Sequence, residues 1–199
     1  MLPAGVRCAG RAARRREGAA PMELSPEAKR RFSLQSYAPA PTIDGVEVVE
    51  LRRHHDDGGA LTELARFTDG RAEAFRDFTL RQVNYSELEP GVIRAFHVHT
   101  RQTDIWFVPP GDRILVVLLD VRRGSPTEGV LMRLVLGAGA SRLLRVPPGV
   151  AHGARNLGAA TARIVYFVDR PFSPDPAACD EGRLPWDFAG ADVWEPTRG

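Results

Sequence analysis

Residues 89–121 read Glu89-Pro90-Gly91-Val92-Ile93-Arg94-Ala95-Phe96-His97-Val98-His99-Thr100-Arg101-Gln102-Thr103-Asp104-Ile105-Trp106-Phe107-Val108-Pro109-Pro110-Gly111-Asp112-Arg113-Ile114-Leu115-Val116-Val117-Leu118-Leu119-Asp120-Val121. A turn at Glu89-Pro90-Gly91 opens onto an extended stretch, Val92–His99, and Arg113–Val121 is nearly all aliphatic. The apolar run Ile114–Leu119 is the longest in the chain and fits a buried strand. It falls far short of the roughly 18 residues that a membrane-spanning helix needs. Outward from this stretch, Val46–Leu51, Phe78–Asn84, Val130–Leu136, Arg142–Val146 and Thr161–Val168 read as further strands, with Leu61–Phe67 a shorter apolar pattern. Turns rich in Gly, Pro and Asp separate them, as at Asp56–Gly59. Short strands at this spacing, with no long helical periodicity between them, predict an all-β sandwich or barrel and disfavour parallel βαβ architecture.

Upstream, Ser25-Pro26-Glu27 before a basic cluster predicts a short helix with Ser25 as its cap, and Ala38–Pro41 reads as a linker. The expected organisation is therefore a basic, disordered segment over residues 1–40 and one domain over 41–199. Residues 1–21 have the Arg- and Ala-rich, acid-poor composition of a tail, a mis-assigned start before Met22 or a targeting segment, and no apolar core favours the last. Downstream, the last thirty or so residues are proline-rich and read as an irregular wrap, with Phe172, Trp186, Phe188 and Trp194 available to pack it onto the sandwich.

The 199 residues carry 27 basic and 25 acidic side chains. Residues 1–31 hold eight of the basic and three of the acidic ones, a head of +5 that leaves the remainder at −3. A nucleic-acid binder carries its basic patch on the folded domain, so that class is disfavoured. The single lysine, Lys29, lies in the head, which excludes Schiff-base and P-loop chemistry from the domain. Two distant cysteines, Cys8 and Cys179, make no disulfide framework, and the expected location is the cytoplasm.

Three of the five histidines fall in two short segments. His97 and His99, two apart on a strand, project to one face; Asp104 follows at the next turn, and His152 comes in Pro147-Pro148-Gly149-Val150-Ala151-His152. Three imidazoles and a carboxylate suit Fe, Mn, Ni or Zn. The spacing of both segments resembles the two motifs of the cupin superfamily, with Asp104 where that superfamily usually has Glu, and this implies a jelly-roll β-sandwich. His54 and His55, adjacent in a polar stretch, read as surface residues.

A longer similarity runs through Asp57–Glu63, Arg81-Gln82-Val83-Asn84-Tyr85-Ser86, Pro90–His97, Asp120–Thr127, Val146–Gly153 and Val193-Trp194-Glu195-Pro196. These segments resemble successive signatures of the dTDP-4-dehydrorhamnose 3,5-epimerase family, a cupin-fold branch, over roughly residues 45–196. The resemblance implies an enzyme without a cofactor that epimerises carbons beside a 4-keto group of a nucleotide-diphosphate sugar, and a homodimer. It implies His97 as the base and Tyr166 as the proton-returning acid. It also implies Arg94, His152, Arg81, Gln82, Asn84 and Glu63 as substrate contacts. Strict alternation sets Arg94 on the opposite face from His97, so Arg94 reaches the site only across a bulge or bend. Asp120–Thr127 reads on its own as a hairpin turn with solvated arginines.

The chain departs from the family pattern in several places, among them a shorter stretch after the catalytic histidine and a histidine at position 99. The family's lysine after the catalytic histidine is missing from Thr103-Asp104-Ile105-Trp106-Phe107, and an early arginine is replaced by Gly58. The C-terminal aspartate that backs the base has no counterpart, leaving Asp180 or Asp187 as substitutes. Two alternatives follow: a metal-dependent cupin, a dioxygenase or isomerase with His97, His99, Asp104 and His152 as ligands, or a non-catalytic sugar-binding cupin.

Overall fold

A computed structural model describes residues 22–197. The expectations for residues 1–21 lie outside the described residues. The chain divides into two compact units, Met1–Ala38 and Pro39–Gly199. In the first, α1 (Pro26–Arg31) is capped as its sequence requires: the Ser25 hydroxyl accepts the Ala28 N–H at 3.3 Å.

The second unit is a sandwich of antiparallel strands. In chain order these are β1 (Glu47–Glu50), β2 (Arg53–Asp56), β3 (Gly59–Thr62), β4 (Phe67–Thr68), β5 (Arg71–Ala72), β6 (Gln82–Leu88) and β7 (Ile93–Val98). They continue as β8 (Asp104–Phe107), β9 (Arg113–Asp120), β10 (Leu131–Gly137), β11 (Arg142–Val146), β12 (Val150–Asn156), β13 (Ala162–Val168) and β14 (Gly182–Arg183). One sheet has the order β1-β11-β8-β13-β6 and the other β10-β9-β12-β7-β14, while β2 with β3 and β4 with β5 form small hairpins. His54 and His55 are exposed on β2.

The aliphatic runs have a simple cause: the central strands of each sheet are covered on both faces. Between the sheets, Leu88, Trp106, Ile114, Val116, Leu118 and Leu144 form one cluster. On the far side of the first sheet, Phe75 and Phe78 cover Ile105, Phe107, Leu143 and Phe167. On the far side of the second, the 3₁₀ turn Ala191–Trp194 covers Phe96, Leu115 and Val117, and Trp194 lies 5.2 Å from Phe96 between ring centroids. A strand covered on both faces loses the polar alternation that marks a half-exposed one.

Several sequence expectations need correction. The strand expected at Phe78–Asn84 runs from Gln82 to Leu88, because Phe78 is drawn into the outer cluster of the first sheet. Asp104 does not lie in a turn; it opens β8, a central strand whose four residues are all buried. Of the wrap's aromatics only Trp194 is buried, whereas Phe172, Trp186 and Phe188 are exposed. The Asp120–Thr127 arginines are not both solvated. Arg122 donates to the buried Asp120 carboxylate from its Nε and Nη2, each at 2.8 Å, and Ser125 and Thr127 add their hydroxyls.

Candidate active site

A cavity of about 690 Å³ lies between the two sheets. The first sheet contributes Ser86 and Leu88 from β6, Asp104 and Trp106 from β8, and Ile164 and Tyr166 from β13. The second contributes Arg94 and His97 from β7, His152 and Ala154 from β12, and Arg183 from β14. His99, Gln102, Phe172 and Glu181 complete the lining.

Arg94 and His97 share this cavity because β7 bulges. His152 pairs with His97 and Ala154 with Arg94, so two residues of β7, Ala95 and Phe96, oppose the single Gly153 of β12. That offset turns Arg94 to the face of His97. Gly153 is the glycine that the bulge demands. A Cβ there would stand 2.3 Å from the Ala95 Cβ and 2.8 Å from the Trp194 ring.

The cavity floor is a buried polar network. His152 Nδ1–H donates to the Val150 carbonyl at 2.9 Å and His99 Nδ1–H to the Asp180 carbonyl at 2.7 Å, since a carbonyl can only accept. Both Nε2 atoms therefore turn to Asp104, at 3.6 Å from His152 and 3.8 Å from His99. The Gln102 amide donates to Asp104 Oδ1 at 2.8 Å and lies 3.4 Å from His99 Nε2, while Trp106 Nε1–H donates to Asp104 Oδ2 at 3.1 Å. Burial pushes the Asp104 carboxyl up, but the hydrogen bond and charge of His152, the charge of His99 and the Gln102 amide outweigh it and hold it at about 2.

Atoms of His99, Asp104 and His152 lie within 4.8 Å of one another and can hold a metal ion. The expected fourth ligand, His97, is not in this cluster. Its ring is stacked on His152 at 5.9 Å, and its Nδ1 faces Glu181 Oε2 at 3.4 Å. Burial, then the charges of His152 and Arg183, push the His97 imidazolium down to about 4 against the opposing pull of Glu181. Tyr166 faces it from the other sheet, half-buried, its phenol pushed up by burial and then by the Asp104 and Glu181 carboxylates, against the charge of Arg94.

The substitutes expected for the base's carboxylate partner are corrected by this geometry. Asp180 turns away from His97 and takes the Thr100 hydroxyl at 2.6 Å and the N–H groups of Thr100, Arg101 and Gln102. Asp187 is not among the cavity residues; Glu181 stands by His97 instead. Glu181 and Arg183 were not legible as site residues, because both lie in the proline-rich wrap and reach the cavity only through the pairing of β14 with β7.

Four expected contacts do not line the cavity. Glu63 is exposed, paired with Arg66 at 2.8 Å after the β2–β3 hairpin. Arg81 precedes β6 and lines a separate cavity of about 640 Å³ with Arg101 and Arg170. Gln82 donates to Asn84 at 2.7 Å and accepts the Phe172 N–H at 2.9 Å, so these two side chains support the segment at Phe172.

The sequence profile described as dTDP-4-dehydrorhamnose 3,5-epimerase matches residues 40–187. The chain belongs to the dTDP-4-dehydrorhamnose 3,5-epimerase family. It is similar to the spore coat polysaccharide biosynthesis protein SpsL of Bacillus subtilis, with 43% identity over 73% of this chain and 91% of that protein. Among solved structures, a dTDP sugar isomerase of Desulfovibrio desulfuricans superposes with a TM-score of 0.64 at 30% identity, covering 76% of this chain and 96% of that one. The Legionella pneumophila dTDP-6-deoxy-D-glucose-3,5-epimerase, solved in complex with dTDP-4-keto-L-rhamnose, gives 0.61 at 26% identity over 73% and 75%. This isomerase family has the jelly-roll sandwich described above. Among the described residues, no helix is long and apolar enough to cross a membrane.

Proposed function

We propose that the protein epimerises a nucleoside-diphosphate-linked 4-keto-6-deoxyhexose in the cytoplasm, with His97 as base and Tyr166 as acid. The observation that carries this reading is that the two side chains enter one cavity from opposite sheets. Inversion at carbon needs a base on one face and a proton donor on the other.

The ketone acidifies the neighbouring C–H bond. His97 Nε2, free at neutral pH because its imidazolium is held near 4, takes that proton, and the electron pair enters the carbonyl as an enolate. The Tyr166 hydroxyl then returns a proton to the same carbon from the other face. Tyr166 recovers its proton from solvent as His97 releases the one it took. His152 backs the base, its ring stacked on that of His97 at 5.9 Å, and Glu181 orients the His97 ring through Nδ1.

The test is solvent exchange. With a dTDP-4-keto-6-deoxyhexose in deuterium oxide, deuterium is expected at C3, C5 or both, and His97→Asn lowers incorporation by about 10²- to 10⁴-fold. Absence of exchange across several such sugars would leave a binding protein as the better reading.

A second reading keeps His97 free and sets a divalent Fe, Mn, Ni or Zn on His99, Asp104 and His152, favoured by the convergence of those three donors. Stoichiometric metal in the purified protein, lost in His99→Ala, would establish it; metal-free protein with full activity would remove it. Homodimerisation is also proposed, supported by the exposed Val83 and Tyr85 on the outer face of the edge strand β6. Light scattering coupled to size exclusion checks it.

A further inference from the structure

We propose that residues 22–37, together with the arginines that precede them in sequence, dock onto a bilayer surface carrying anionic phospholipid headgroups. Residues 22–42 are exposed throughout, and burial begins at Ile43. Five of the exposed side chains are large and apolar: Met22, Leu24, Phe32, Leu34 and Tyr37. Single exposed apolar side chains are ordinary on a protein surface, but a close series of them marks a contact surface. The attachment is independent of the reaction proposed above.

The chemistry of the partner follows from the charges among these side chains. The last turn of α1 carries Lys29, Arg30 and Arg31, directly before Phe32, which leaves the helix extended at φ −72° and ψ 128°. Few carboxylates oppose them. Glu23 meets Lys29 at 2.7 Å, and Glu27 alone faces Arg30 at 3.3 Å and Arg31 at 3.2 Å. All of these groups are exposed, and such pairs contribute little in water, so phosphate oxygens can take the place of the carboxylates. Arg7, Arg11, Arg14, Arg15 and Arg16 precede them in sequence and complete the +5 head.

Cations alone would suit nucleic acid equally well, and the apolar side chains decide between the two. Met22, Leu24, Phe32 and Leu34 gain by leaving water for the boundary between headgroups and acyl chains, while the long basic side chains stay at the level of the phosphates. Basic residues near an anionic leaflet are attracted to it over about a Debye length. Stable attachment takes two signals, and this segment combines an apolar one with a basic one. Self-association through the same segments would bring two +5 heads together, which their repulsion opposes. The remainder of the chain, at −3, adds no attraction of its own to an anionic surface.

Co-sedimentation of the full chain with phosphatidylcholine vesicles, with and without phosphatidylglycerol, tests this. Binding is expected to the anionic vesicles alone and falls as salt is raised. The double variant Arg30→Gln/Arg31→Gln weakens it by about tenfold, and Phe32→Ser/Leu34→Ser by a similar factor. Turnover of a soluble substrate stays at the wild-type level in both, because none of the four residues lines the cavity. Absence of binding to the anionic vesicles would overturn the proposal, as would equal binding to both lipids or binding unchanged in either double variant. Two further results would also overturn it. Capture of duplex DNA without vesicle binding would assign the head to nucleic acid, and a smaller particle mass by light scattering in Phe32→Ser/Leu34→Ser, with vesicle binding intact, would assign the apolar side chains to a second copy of the chain.

Discussion

At the floor of the cavity, His99, Gln102, Asp104 and His152 are each less than 10% exposed and hydrogen-bonded to one another or to backbone carbonyls. At its rim, His97, Glu181 and Arg183 are held by one 3.4 Å contact and a two-residue edge strand. The floor belongs to central strands and their loops, where both faces are covered. The rim depends on a late piece of chain that joins the second sheet only at its edge. On the proposed reading such a site separates its duties: the floor sets where the reacting carbonyl lies, and the rim sets the surroundings of the His97 base.

The contrast breaks most severely at Asp104. In Asp104→Asn the amide oxygen can accept from only one of the Gln102 amide and the Trp106 N–H, and the new NH2 meets the other as donor against donor in a buried position. Removing one member of a buried charged network costs about 3–5 kcal/mol. Urea unfolding is expected to show a loss of that size, and turnover falls with it. A midpoint within about 0.5 kcal/mol of wild type would mean that the floor contributes nothing special to stability.

Asp180 tests the rim. Asp180→Ala deletes four hydrogen bonds to residues 100–102 and frees the start of β14, but touches no core cluster. Its expected global cost is about 1–2 kcal/mol, smaller than that of Asp104→Asn. Hydrogen exchange locates the loss: the Leu184 amide, bonded to the Phe96 carbonyl, loses protection while amides of β9 keep theirs. Uniform loss across the sheets would refute the separation of floor and rim.

The same contrast explains what the sequence disclosed. The Ile114–Leu119 run and the regular turns make the sandwich legible, and the two histidine segments point to the floor, because each feature is local. His97 with His99, and His152, announce themselves by spacing within one strand or one turn. Glu181 and Arg183 do not, since nothing local distinguishes them from other charges in a proline-rich tail; their meaning comes from pairing across 84 residues with β7. Arg94 is intermediate. Alternation alone puts it on the wrong face, and only the bulge opposite Gly153 brings it to the cavity. Glu63, Arg81, Gln82 and Asn84 follow the family pattern in sequence, yet their side chains are not in the lining of this cavity.

Glu181→Gln is the gentlest change and sharpens the comparison through pH. Stability is expected to stay within about 0.5 kcal/mol, since the carboxylate is more than a third exposed. Catalysis changes differently. In the wild-type protein, kcat/KM falls on the acid side as free His97 takes up a proton, near pH 4. Glu181 is the group that pulls this value upward, against burial and the charges of His152 and Arg183. Its removal therefore moves the acid limb to lower pH, while the plateau drops by about tenfold as the ring loses its guide. Arg183→Gln moves the limb the other way. The stability sign is consistent: unfolded His97 titrates near 6.5 and folded His97 near 4, so the unfolded chain binds more protons between those values. The stabilisation from this residue is complete above about pH 6.5 and is lost as pH falls toward 4, over a wider range in Glu181→Gln than in the wild-type protein. An acid limb that moved upward in Glu181→Gln would show that Glu181 does not act on His97, and the rim would reduce to Arg183 alone.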